Sequence, residues 1–138
     1  MKLILTCCGG LIAAAVLSAQ SPAATESKTI GGKTITIDYS SPRVNGRVGK
    51  LFGKDGTIGG DATYPVWRAG ANTATKLNTE ADLVIGGLNV PKGAYSLYVD
   101  LSDPDNWQLI VNKQTGQSGL DYDKARDRCR DRRRYAVW

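Results

Sequence analysis

The run Pro91-Lys92-Gly93-Ala94-Tyr95-Ser96-Leu97-Tyr98-Val99-Asp100-Leu101-Ser102-Asp103-Pro104-Asp105-Asn106-Trp107-Gln108-Leu109-Ile110-Val111-Asn112 decides the fold class. Ala94 to Leu101 alternates large and small or polar residues, the period-two signature of a strand lying on a sheet. Tyr95, Leu97 and Val99 face one way, and Ala94, Ser96 and Tyr98 the other, so at most one of the two tyrosines is expected in the core. Ser102 to Asn106 has the composition of a turn, and Trp107 to Asn112 is the strand returning from it.

Working outward, the same grammar repeats. Lys33 to Tyr39 alternates β-branched and polar residues and reads as a strand stopped by Ser40-Ser41-Pro42. Arg43 to Gly60 is rich in glycine and reads as a short strand over Arg47 to Phe52, followed by an exposed turn at Lys54-Asp55-Gly56-Thr57. Alternation returns from Thr73 to Asn78. Asp82 to Ile85 then turns through Gly86-Gly87 into Leu88 to Val90. Short strands between Gly- and Pro-rich turns, with no long helical period, predict an all-β chain. Its expected architecture is an antiparallel β-sandwich, with a jelly-roll-like form or a barrel as the alternative.

The N-terminus differs from the rest. Lys2 precedes a nearly continuous apolar or small run from Leu3 to Ala19, and Gln20-Ser21-Pro22-Ala23 ends it with small residues, the three-part pattern of a signal peptide. The expected organisation is a signal peptide over 1–23, a polar spacer over 24–32, a β domain over 33–127 and a basic tail over 128–138. Export to the periplasm or the extracellular space follows, with no transmembrane span once the leader is cleaved. Cys7 and Cys8 lie in the leader, which leaves Cys129 alone and removes any intramolecular disulfide or cysteine metal cluster.

The net charge of +5 misleads until it is divided. Between Glu26 and Leu120 there are ten basic and nine acidic residues, whereas Asp121 to Trp138 holds seven basic and four acidic ones. The body is close to neutral, so no basic stripe for nucleic acid is expected. The tail Arg128-Cys129-Arg130-Asp131-Arg132-Arg133-Arg134-Tyr135-Ala136-Val137-Trp138 has a composition found nowhere earlier, and reads as translation out of frame.

The absence of histidine removes every Ser-His-Asp or Cys-His arrangement and the commonest metal ligand. Gly46 to Lys50 and Gly49 to Lys54 lack the spacing and the hydroxyl of a phosphate loop. Asp38, Asp61, Glu80, Asp82 and Asp100 are the acids from which a glycoside-hydrolysing pair would have to come. The turn acids Asp100, Asp103 and Asp105 fit no calcium-loop spacing. No metal or cofactor is expected.

The densest side-chain chemistry lies in Tyr64-Pro65-Val66-Trp67-Arg68-Ala69-Gly70-Ala71-Asn72-Thr73-Ala74-Thr75. Trp67 offers a flat apolar face, Arg68 a bidentate fork for carboxylate or phosphate, and Asn72 a donor and an acceptor. Thr75, Arg47 and Tyr39 complete the candidate ligand-binding set. The structural reading of the same residues makes Trp67 a core plug, ties Arg68 to a carboxylate, gives Gly70 a positive-φ turn and uses Asn72 to tie loop backbone.

Four segments taken together carry a family resemblance: Asp38-Tyr39-Ser40-Ser41-Pro42 with Gly46-Arg47; Val66 to Asn72 with Thr75; Val90 to Leu97; and Trp107 to Lys113. In this order they resemble DUF2911, a bacterial exported family of unknown function. The resemblance covers roughly Ile35 to Asp127 and implies an all-β extracytoplasmic domain without an assigned activity. It also implies strands beyond Asp127, so a sandwich lacking its last strands is expected. The functional expectation is a module of the bacterial envelope that binds a small molecule or glycan. The alternatives are a carboxylate-dependent hydrolase of envelope glycans and a purely structural domain.

Overall fold

The computed structural model describes residues 21–130. Residues 1–20, which hold most of the expected signal peptide, and residues 131–138, which hold most of the expected basic tail, lie outside the described residues. Nine strands run in chain order: β1 Ala23–Ile30, β2 Lys33–Ser40, β3 Val66–Trp67, β4 Thr75–Thr79, β5 Leu83–Ile85, β6 Leu88–Val90, β7 Gly93–Asp100, β8 Gln108–Asn112 and β9 Asp127–Arg130. Seven of them form one antiparallel sheet in the order β1-β2-β4-β7-β8-β9, with β3 also on β7, while β5 and β6 form a second, two-stranded sheet. The fold is therefore all-β and antiparallel, open rather than closed into a barrel, and consistent with a β-sandwich.

Both faces of the large sheet are covered. On one, Leu77, Tyr95 and Val111 pack with Val90, and Leu83, Ile85 and Leu88 of the β5–β6 hairpin close over them. On the other, Val66, Ala74, Tyr98 and Ile110 form a second cluster with Tyr122 against it. Tyr95 is 6% exposed and Tyr98 is 0% exposed. The expectation of a single core tyrosine is thus overturned, because both layers of packing meet on β7. Each phenol finds a partner: Tyr95 donates to the Pro91 carbonyl at 2.8 Å, and Gln117 Nε2 donates to Tyr98 Oη at 2.9 Å.

Three expected boundaries change. Residues 24–32, expected to be a spacer, form β1 and its turn into β2. Gly31 and Gly32 sit at φ 58° and 75°, the left-handed pair that a two-residue hairpin loop demands. No strand forms over Arg47 to Phe52. Asn45, Gly46, Gly49 and Gly53 all take positive φ, and Arg47 N–H to Val44 O (3.0 Å) and Lys50 N–H to Arg47 O (2.9 Å) close successive turns instead. Finally, residues 128–130 of the expected basic tail join Asp127 in β9 on the edge of β8, with Val111 opposite Cys129.

Val66-Trp67 and Thr75–Thr79 lie in line along the same edge of β7: Trp67 is opposite Val99 and Thr75 opposite Leu97. The six residues between Arg68 and Thr75 are extruded from what is otherwise one strand. The Thr75 N–H bond to Arg68 O, 3.1 Å, pinches the loop shut.

A candidate anion cavity at Trp67 and Arg68

The pinched loop is held in a strained shape. Ala69 and Asn72 have φ 54° and 63°, a region that side-chain-bearing residues rarely occupy and that Asn tolerates best. Gly70 is not the positive-φ residue. It is required by proximity, since a Cβ there would lie 2.9 Å from Ser40 O at the end of β2. Thr75 Oγ1 donates to Ala69 O at 3.0 Å, and Trp67 Nε1 donates to Gly70 O at 3.3 Å. The loop's carbonyls are therefore occupied from below by the strand residues that flank it.

Above the loop, residues 43–61 wind back on themselves and supply the opposite wall. Thr57 and Ile58 donate their N–H groups to Lys50 O and Leu51 O at 3.0 and 2.9 Å. Phe52 is thereby directed between two indoles, 5.2 Å from Trp67 edge-on and 4.7 Å from Trp107. Arg47 is anchored by its Nε to Val44 O (2.9 Å) and by a terminal nitrogen to Arg43 O (2.7 Å).

Between these walls lies a cavity of about 240 Å³ lined by Arg43, Arg47, Phe52, Asp61, Trp67 and Arg68 among others. Three arginines and one acid are among its lining residues, and of the three it is Arg68 that pairs with the acid. Arg68 pairs with Asp61 at 3.7 Å, a long contact between side chains only 18% and 21% exposed. Its buried Nε has no hydrogen-bond partner among the described residues. A buried donor left unsatisfied is costly, so this guanidinium keeps unspent hydrogen-bonding capacity.

Of the six residues expected from sequence, the structure brings Trp67, Arg68 and Arg47 together in this cavity. Asn72 is exposed and shapes the turn, with its carbonyl accepting from Gly119 N–H at 3.1 Å. Thr75 is buried and serves Ala69. Tyr39 is half-buried on β2 and does not line the cavity. Sequence reasoning missed Arg43 and Phe52, and named Asp61 only among the candidate acids of a hydrolase. The signal available was that Arg43 and Arg47, and the chain's one phenylalanine, sit in a glycine-rich loop with no strand to serve.

The other acids are engaged locally. Asp38 accepts from Thr25 Oγ1 at 2.7 Å, Glu80 from Thr34 N–H at 2.6 Å, and Asp82 from Lys92 N–H at 2.8 Å. Asp100 accepts from Ser102 N–H at 2.9 Å, and Asp103 from Asp105 N–H at 3.0 Å, as turn carboxylates do. Asp61 is the one acid in the cavity lining among the described residues. No helix among them is long and apolar enough to cross a membrane.

A second polar cluster surrounds Tyr98. Gln117 Nε2 bridges Tyr98 Oη and Ser96 Oγ, the latter at 3.2 Å. Tyr122 Oη donates to Asp127 at 2.7 Å, and Asn112 Nδ2 donates to the same carboxylate at 2.8 Å. Burial raises the Tyr98 pKa. The Gln117 hydrogen bond opposes that rise, and the negative charges of Asp121 and Asp127 add to it. This cluster ties the start of β9 to the sheet.

The model of the family described as "Protein of unknown function (DUF2911)" matches residues 21–134, reaching from the residue before Pro22 through most of the arginine-rich tail. No curated protein matches, and no solved structure does.

Proposed function

We propose that this chain, which belongs to the DUF2911 family, is an exported binding module. Its cavity at Trp67 takes a small carboxylate- or phosphate-bearing ligand, an acidic sugar being the class that uses the whole lining. The observation that carries this reading is the convergence of Arg43, Arg47 and Arg68 on a space walled by Phe52 and Trp67, with Asp61 the single counter-charge. Guanidinium forks pair with planar anions, and aromatic walls accept the apolar face of a ring. Export is supported by the apolar run from Leu3 to Ala19 behind Lys2.

In this cavity the hydrolase reading has one acid among the described residues, Asp61, and that acid is already engaged by Arg68. A two-carboxylate mechanism needs a second acid across the substrate.

Thermal unfolding followed by tryptophan fluorescence, with glucuronate, inorganic phosphate and glucose in turn, tests the reading. Glucuronate raises the midpoint most, phosphate less and glucose least, and Arg68→Gln removes the response. Equal midpoints with all three compounds, or an undiminished response in Arg68→Gln, would overturn it.

A further inference from the structure

The most exposed element of the fold is also one of its longest strands. β1 pairs with β2 only, among the described residues, and every residue in it except Ala24 is exposed. Ile30 is 63% exposed.

The ladder fixes which way its backbone points. Ser41 N–H donates to Pro22 O at 2.8 Å, and the register places Ala24 opposite Tyr39, Glu26 opposite Ile37 and Lys28 opposite Ile35. In an antiparallel pair the hydrogen-bonded rungs alternate. Ala24, Glu26, Lys28 and Ile30 therefore spend their N–H and C=O groups on β2, while Thr25, Ser27 and Thr29 direct theirs to the open edge. Such an edge templates another strand unless its side chains forbid it.

Here the side chains select a partner. Were β1 to meet a second β1 about a two-fold axis at Ser27, Thr25 would lie opposite the copy's Thr29, and Glu26 opposite the copy's Lys28. All three outward-facing residues would then form hydrogen-bonded rungs. Both charged pairs would be opposite in sign, and Ala24 would meet the exposed Ile30. Moving the axis to Glu26 or Lys28 sets like charges face to face, which destabilises a cross-strand pair. The hydroxyl row already formed by Ser27 Oγ and Thr36 Oγ1 (2.8 Å), and by Thr29 Oγ1 and Thr34 Oγ1 (3.2 Å), would continue across the axis.

We propose that the β1 edge is a self-recognition surface, on which two copies of this chain pair antiparallel with Ser27 at the two-fold axis and Glu26 facing Lys28 across it. The arrangement is isologous and closes on itself, leaving the cavity at Trp67 outside the contact.

Sedimentation equilibrium of the purified protein at low ionic strength tests this. The wild type is a concentration-dependent dimer. Ser27→Pro removes an outward N–H that β2 does not use, and converts the dimer to monomer while the tryptophan emission of the fold is unchanged. Glu26→Lys and Lys28→Glu each weaken the dimer about tenfold, as expected for two cross-strand pairs turned repulsive, and the double exchange restores it. A monomer at every concentration would overturn the proposal, as would a dimer indifferent to Ser27→Pro or a double exchange no tighter than either single one.

Discussion

Gly119 lies against the side chain of Arg68 so closely that a Cβ at position 119 would overlap Arg68 Cδ, and would come within 2.7 Å of the Asn72 carbonyl oxygen. The segment before Tyr122 thus serves as a rest for the arginine stem. It holds the fork toward Asp61 and the cavity without touching the cavity itself.

Gly119→Ala is therefore expected to displace Arg68. Its cost is that of overpacking, about 1–3 kcal/mol. Binding of glucuronate should weaken along with stability, as measured by titration calorimetry beside thermal unfolding. Unchanged affinity in a destabilised protein would separate Arg68 from ligand binding.

Asn72 is expected to matter through its backbone. Its φ of 63° suits glycine, so Asn72→Gly should leave both stability and ligand affinity near wild type. Asn72→Val should cost about 1–2 kcal/mol, because a β-branched residue is unfavourable in that region. Urea unfolding of the two variants checks this.

The aromatic wall can be taken apart one ring at a time. Trp67→Ala removes the Phe52 edge contact and the indole bond to Gly70 O, and should cost about 3 kcal/mol. Phe52→Ala, on the more exposed side, should cost about 1–2 kcal/mol while weakening binding by a similar factor. Unchanged glucuronate affinity in both variants would show that both rings serve packing alone.

The alkaline limb of stability should report Tyr98. Its folded pKa is raised above the ordinary 10.0, first by burial. Below that ordinary value the phenol is neutral in both states, so the contribution is complete. Above it the unfolded phenol ionises while the folded one keeps its proton, and stability falls as pH climbs toward the raised value. Tyr98→Phe should unfold more easily at neutral pH by about 1 kcal/mol, for the lost Gln117 bond, yet lose less on going to high pH.

The strands read best from sequence were those with one consistently apolar side. β7 and β8 announced themselves by alternation, but alternation could not say that Tyr95 and Tyr98 would both be buried, because loop and hairpin cover opposite faces of the same strand. β1 stayed hidden for the opposite reason: an exposed edge strand carries no apolar stripe, and its only sign was Gly31-Gly32 between two β-branched runs. The loop over residues 43–61 was misread because Val48, Leu51 and Phe52 suggest a strand, while the positive-φ positions forbid one. In the cavity, Trp67 and Arg68 were legible as neighbours in sequence. Arg47 was a candidate with no argument to bring it near them, and Arg43, Phe52 and Asp61 are joined to them only by the fold.

The most direct test of the anion cavity is to follow the amide and indole N–H correlations during titration with glucuronate. Saturable shifts of the Trp67 indole N–H and the Gly70 and Ala71 amides are expected, and they are lost in Arg68→Gln. The absence of saturable shifts, or shifts confined to residues away from this loop, would contradict the anion cavity.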